Sequence, residues 1–248
     1  MRPNAVRGAM ARLAASLIVL VGAAAAMPAL AGDKALAEFL GYSADGRYFA
    51  FEEFGIQDGS GFPYSTIYII DLPSDKWVSG SPYRVRIDED GARLADARNK
   101  AHALAEGAFD ELIINQPAHL IALNGDAEFA GDGKTLKFGA VGFAPGEVQG
   151  AKTLTLETFP AKSPEPCETY TDADIVGFAL TLDDNGATRE LFRDAALPKS
   201  RGCALDYRLY GVVAMPDSGG SEGAAVIVSV YPLGFEGPDR RFLAVPFN

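Results

Sequence analysis

Histidine is scarce in this chain: His102 and His119 are the only two, one in a helical stretch and one in a loop. Zinc sites draw on closely spaced His and Cys, and the two cysteines, Cys167 and Cys203, are isolated, so no metal site is expected. Asp88-Glu89-Asp90-Gly91 resembles the start of a calcium loop, but Asn99 stands where the closing Glu is needed. It reads instead as an acidic turn ahead of a helix. Ser60 lies in Gly-Ser-Gly, outside the Gly-x-Ser-x-Gly pattern of a nucleophile elbow, and no His stands near it in sequence. Phosphate-loop and dinucleotide fingerprints are missing as well, and no cofactor is expected. Past residue 31 no apolar run approaches the roughly 20 residues of a membrane helix; residues 224–230 read as a buried strand. Positive charge is also short, with 22 Lys and Arg against 33 Asp and Glu, a net −11. Such a balance repels phosphate backbones and anionic lipid, which disfavours nucleic acid and membrane-surface partners.

The first 31 residues differ from the rest. Arg2, Arg7 and Arg12 form a basic start, residues 13–27 are an apolar run rich in Ala, and Ala29-Leu30-Ala31 offers the small residues a signal peptidase accepts. A cleaved signal peptide over 1–31 is expected, leaving 32–248 as one β-rich domain in the periplasm or outside the cell. No Cys follows the cleavage point, which argues against a lipoprotein. This segment carries those three Arg and no acid, so without it −11 becomes −14. In an oxidising compartment an isolated pair of cysteines is expected to form one structural disulfide, Cys167–Cys203. A redox pair would favour Cys-x-x-Cys, which is absent.

Strand signals dominate the remainder. Residues 47–54 alternate with period two, putting Phe49, Phe51 and Glu53 on one face and Tyr48, Ala50, Glu52 and Phe54 on the other. Residues 66–71 return as the partner strand. Both faces carry bulky side chains, so the hairpin is expected to be covered on both sides. Trp77 opens a short third strand. Residues 92–106 form the one amphipathic helix, with Leu94, Ala97, Ala101 and Leu104 on a stripe, Asp88 or Asp90 as cap and Gly107 as stop. Further strands are expected at 120–123, 127–129, 135–141, 152–159, 175–182, 188–192, 207–215, 225–231 and 242–247. Asp184-Asn185-Gly186 supplies a strong hairpin turn within them. Phe129-Ala-Gly-Asp-Gly-Lys echoes Tyr42-Ser-Ala-Asp-Gly-Arg, a hint of a duplicated two-hairpin unit. Residues 160–166, rich in Pro, divide the domain into possible lobes at 32–159 and 167–248. The fold class is mainly β: antiparallel hairpins and meanders in a sandwich-like or propeller-like domain.

Three stretches carry a family resemblance: residues 41–72 (GYSADGRYFAFEEFGIQDGSGFPYSTIYIIDL), SRGCALDY at 200–207 and GFEGPDRRF at 234–242. Together they resemble the domain-of-unknown-function family 2259, the predicted secreted proteins. That resemblance implies an exported bacterial protein and carries over no functional residues. Locally, Ser-x-Asp-Gly followed by Ile-Tyr-Ile-Ile-Asp-Leu is similar to one blade of TolB-like propellers, which makes a complete small propeller the alternative fold.

Two segments are candidates for binding. In the loop 55–64, three glycines would let a ligand approach the backbone while Phe62 and Tyr64 offer flat surfaces, with Glu52 and Asp58 close in sequence. In 234–241, Glu236, Arg240 and Arg241 could hold a carboxylate or a sugar, or pair among themselves and with Asp239. Glu52 and Glu53 point to opposite faces of a strand and cannot act together. The reading is a non-enzymatic binding or accessory module of the envelope, taking a protein or a small-molecule or glycan ligand. Its alternative is a glycan hydrolase using Glu52 and Asp58, since that chemistry needs two carboxyl groups roughly 5–9 Å apart.

Overall fold

A computed structural model describes residues 32–126, 131–216 and 223–247. The signal segment, the strand expected at 127–129 and most of the loop at 216–223 lie outside the described residues. From Gly32 onward the chain is one compact unit of three antiparallel sheets and a long helix. The mainly β, antiparallel class expected from the sequence is the one adopted.

The outer sheet contains β1 (Leu36–Ser43), β2 (Tyr48–Ile56), β3 (Pro63–Asp71), β4 (Lys76–Trp77), β5 (Tyr83–Arg86) and β6 (Ile114–Gln116). Its order is β4-β3-β2-β1-β6, and β5 joins β4 on the same edge of β3. The central sheet combines β7 (His119–Leu123) with β12 (Ala204–Ala214), β13 (Ala225–Pro232) and β14 (Arg241–Pro246), in the order β14-β13-β12-β7. The distal sheet is a meander of β8 (Thr135–Val141), β9 (Val148–Pro160), β10 (Val176–Asp184) and β11 (Ala187–Arg193). Helix α1 (Leu94–Glu111) completes the set.

Side-chain alternation dictates how these layers stack. Along β13, Ala225 and Ile227 pack with Phe49, Phe51 and Tyr42 of the outer sheet. Val226, Val228 and Val230 pack with Leu154, Leu156, Phe178 and Leu180 of the distal sheet. Every residue from Ala225 to Val230 is buried, so this antiparallel strand reads as a continuous apolar run of the kind usual in parallel sheets. Strand β12 keeps the same division only through a bulge between Leu209 and Gly211. Tyr207 and Leu209 face the distal sheet before it, and Val212 and Ala214 do so after it. A side chain at Gly211 would stand 2.8 Å from the carbonyl oxygen of Ala122 on β7, which explains the glycine. On the far face of the outer sheet, Ala50, Ile67 and Ile69 receive Ala101 and Ala105 of α1. The hairpin β2–β3 is thus covered on both sides, and the stack runs helix, outer sheet, central sheet, distal sheet.

Two expectations need correction. The propeller alternative fails, because blades are built from consecutive strands around an axis, whereas β7 pairs with β12 and the sheets lie in layers. The echo around Asp132-Gly133 starts at Phe129, whose strand lies outside the described residues; the strand after it, β8, belongs to the distal sheet. The helix begins and ends later than 92–106. Asp88 is engaged by Arg86 at 2.5 Å, leaving Arg93 at the cap position, and α1 continues past Gly107 because Ala108 and Phe109 pack on the sheet. Its buried stripe is Ala97, Ala101 and Ala105, while Leu104 is exposed. Strand pairing also crosses 160–166, through β9 with β10. The expected disulfide is present: Cys167 and Cys203, with Cα atoms 5.6 Å apart, tie the β9–β10 connection to the start of β12.

Candidate functional site

The face of the outer sheet that meets the central sheet is left open beside β14, and there it floors a groove of about 1110 Å3. One wall is β14; the other is the segment 192–201 that follows from β11. Register places Glu53, Thr66 and Arg84 in one row across β2, β3 and β5, Phe51 beside Tyr68 in the next, and Ile70 beside Trp77 further on. Phe51 and Tyr68 stack with centroids 4.8 Å apart, and Tyr68 meets Trp77 at 5.6 Å. An aromatic track therefore leads from the core to Trp77, the chain's single tryptophan, which is 44% exposed. The Arg84 guanidinium lies over the Trp77 ring at 5.7 Å.

Charges knit together at one end of the groove. Arg241 donates to Asp33 Oδ2 at 2.7 Å and to Asp239 at 3.4 Å, and its Nε is 3.7 Å from Glu53 Oε1. Tyr64 donates its hydroxyl to Asp33 Oδ1 at 3.0 Å, with Arg241 over its ring. Glu53 Oε2 accepts the backbone N–H of Phe242 at 2.8 Å, which fastens the outer sheet to β14. Burial pushes Glu53 up to about 7, against the opposing pull of Arg241 and the Phe242 amide. Burial also raises Asp33, and it raises Tyr64 far above the ordinary phenol range.

The Glu53 shift has a testable sign. Between its ordinary value of 4.5 and about 7, the folded protein keeps a proton that the unfolded chain releases. The contribution of this group to stability is therefore full below pH 4.5, falls as pH rises to 7 and is level above that. Wild type is expected to lose about 3 kcal/mol relative to Glu53→Gln between pH 4.5 and pH 8. Urea unfolding of both proteins at the two pH values measures this, and an unchanged gap would refute it.

The opposite face of the same strand carries a separate polar cluster, covered by α1. Glu52 is fully buried and accepts from Ser65 Oγ at 2.7 Å, from Arg98 at 2.7 and 3.0 Å, and meets His102 Nε2 at 3.1 Å. Burial alone would raise its carboxyl, but the bonds from Arg98, Ser65 and His102 together hold it below the usual carboxylate range. Arg98 also bonds Glu38 and lies 4.0 Å from the Phe54 ring centroid. Although Ser, His and Glu meet here, the carboxylate stands between the other two. A hydrolytic triad needs the imidazole in that place, to take the serine proton, so this arrangement activates no nucleophile.

Of the residues singled out in the sequence, Tyr64 and Arg241 line the groove together. Glu52 belongs to the helix-side cluster. Asp58 is exposed at the loop tip, which closes on itself through Gln57 N–H to Phe62 O and Gly61 N–H to Gln57 O, both 2.9 Å; Phe62 is half-buried. Arg240 is buried, donating to Ala35 O at 2.8 and 3.0 Å and bonding Asp126, while Glu236 is exposed. Sequence reasoning passed over Glu53, Tyr68, Trp77 and Arg84. The available signal was one acid on an otherwise aromatic strand face.

Buried Arg201, on the second wall, donates to the Tyr207 hydroxyl at 3.2 Å, pairs with Asp194 at 3.5 Å and lies over the ring of Phe178. Among the described residues no His, Cys, Asp and Glu group could hold a metal ion, and no buried side-chain polar atom lacks a partner. No helix among them is long and apolar enough to cross a membrane.

Fold and site together define a layered antiparallel β protein with one large aromatic and basic groove. The family profile of predicted secreted proteins, DUF2259, matches residues 50–248, and the chain belongs to that family. A search of curated proteins returns no match.

Proposed function

We propose that this chain, exported to the periplasm by a signal peptide cleaved after Ala31, is a non-enzymatic binding module whose ligand seat is the groove beside β14. The observation that carries this reading is the groove's makeup. Its volume suits a ligand, and an aromatic track with an exposed end lines it. Two of its three acids are already committed to the protein: Glu53 holds the Phe242 amide, and Asp194 holds the Phe178 amide at 3.0 Å and Arg201, which leaves Asp75 as the one lining carboxyl without a side-chain partner among the described residues. A glycan hydrolase needs a free acid and a second free carboxylate across a cleft. Glu52, the acid first considered for that role, lies on the helix side with its lone pairs taken.

Trp77 provides the test, because one tryptophan makes emission a report on this groove alone. Titration with envelope oligosaccharides, murein fragments and peptides is expected to give a saturable emission change with at least one class and no bond cleavage. Release of product from any of them that disappears in Glu53→Gln would overturn the non-enzymatic reading.

A further inference from the structure

The central sheet ends at β14, while the outer and distal layers continue past it; the groove is the slot this leaves. Strand β14 pairs with β13 on one side only among the described residues. Its other edge is partly closed. At its start, Arg240 N–H donates to Asp33 O at 2.7 Å and Ala35 N–H to Arg240 O at 3.3 Å, a one-residue parallel bridge. The Phe242 N–H is taken by Glu53. Because alternate residues of a strand direct their backbone groups to the same edge, Ala244 N–H and the carbonyls of Phe242 and Ala244 face the slot. No backbone partner meets them among the described residues.

The dimensions fit a strand. In stacked sheets a strand residue takes about 160 Å3, from a 3.3 Å rise, 4.8 Å strand spacing and 10 Å between sheets. The slot's 1110 Å3 therefore leaves room for a short extended segment beside β14.

Charge selects the occupant. The slot is lined by six cationic and three acidic side chains, in a chain whose net charge is −11. Arg86, Arg193, Arg201 and Arg241 have carboxylate partners in Asp88, Glu190, Asp194 and Asp33. Lys76, next to Trp77 in sequence, and Arg84, over its ring, line the slot without an ion pair among the described residues, as does Asp75. The chain's own residues 1–31 are cationic and mismatch this lining.

We infer that the slot receives an extended acidic segment of another protein, which adds to β14 as a further strand of the central sheet. Its backbone bonds Ala244 and Phe242, its apolar side chains meet the Phe51–Tyr68–Trp77 track, and its carboxylates meet Lys76 and Arg84. Main-chain pairing supplies affinity and the pockets supply selectivity, as in other strand additions. This rests on the groove being the ligand seat.

The test uses two synthetic libraries of seven-residue peptides. One has Glu, Val, Thr, Leu or Tyr at every position, so that Glu and an apolar residue can share a face; the other has Lys in place of Glu. Peptides from the Glu library are expected to shift Trp77 emission, and the Lys library to leave it unchanged. With Lys76→Glu/Arg84→Glu, two exposed substitutions that spare the core, the affinity should fall about tenfold or more, with a reduced salt dependence. Ala244→Pro, checked for native circular dichroism, removes the edge donor and should weaken binding while leaving its salt dependence in place. Silence from both libraries, with acidic oligosaccharides still shifting Trp77, overturns the strand addition and leaves the binding groove standing. Silence from every ligand overturns both. Self-association that competes with the peptides would assign the slot to a second copy instead.

Discussion

Replacing Arg98 with methionine is expected to lower the unfolding free energy by about 3–5 kcal/mol at pH 8, the range seen when one partner of a buried ion pair is removed. Methionine keeps a chain of similar length over Phe54, so packing is largely retained. What is lost is the charge facing Glu52, which has no solvent exposure of its own. Ser65 and His102 remain, but burial then dominates and the carboxyl moves up instead of down. The sign of the pH dependence follows. In wild type the depressed carboxyl contributes stability above the ordinary Glu range and loses it as pH falls through the lowered value. In Arg98→Met the cost is largest when Glu52 must be charged, and it shrinks toward pH 4. Urea unfolding at pH 8 and pH 4 separates the two cases. The double variant Arg98→Met/Glu52→Gln should recover most of the loss at pH 8. An equal loss at both pH values would show that packing, and not charge, is responsible.

Removing the disulfide is the other large effect. Cys167 and Cys203 are 36 residues apart, and closing a loop of that size is worth about 4 kcal/mol in the chain-entropy treatment. Both cysteines are buried, and the bridge joins the distal sheet's β9–β10 connection to the residue just before β12 of the central sheet. Ser163 adds a second tie nearby, donating to Gly202 O at 2.9 Å. Cys167→Ser/Cys203→Ser is therefore expected to remain folded, held by the layered core, but to unfold at markedly lower urea. Midpoints with unchanged slopes would measure the difference; a loss below about 1 kcal/mol would mean that the unfolded chain is already constrained there.

Much of the fold was legible because its signals are local. Period-two alternation put Phe49, Phe51 and Glu53 on one face and Glu52 on the other, and these faces are the groove side and the helix side. The Asp184-Asn185-Gly186 turn was equally readable: Asn185 and Gly186 adopt φ of 55° and 88°, as that two-residue turn demands. The helix limits were not: Arg86 takes Asp88, one of the two expected caps, and tertiary contacts with the sheet hold Ala108 and Phe109 in helical register past a glycine. Nor was the pairing of β7 with β12, which unites residues about ninety positions apart. The groove was hidden for the same reason. Its walls come from 51–86, 192–201 and 230–245, and no single stretch holds enough of it to show a pattern. The loop 55–64 drew attention through composition, yet its polar groups are largely spent on holding its own shape.

The bridge between residues 33–35 and Arg240 bears on how the molecule comes into being. Residues 33–35 are secured by Arg240, 205 positions beyond Ala35, and Asp33 is also the partner of Arg241. The outer sheet therefore cannot be sealed onto its neighbour at this corner until residues 240–242 are in place. Closure of the layers at this corner is thus a contact of very high sequence separation, the kind that forms late in folding.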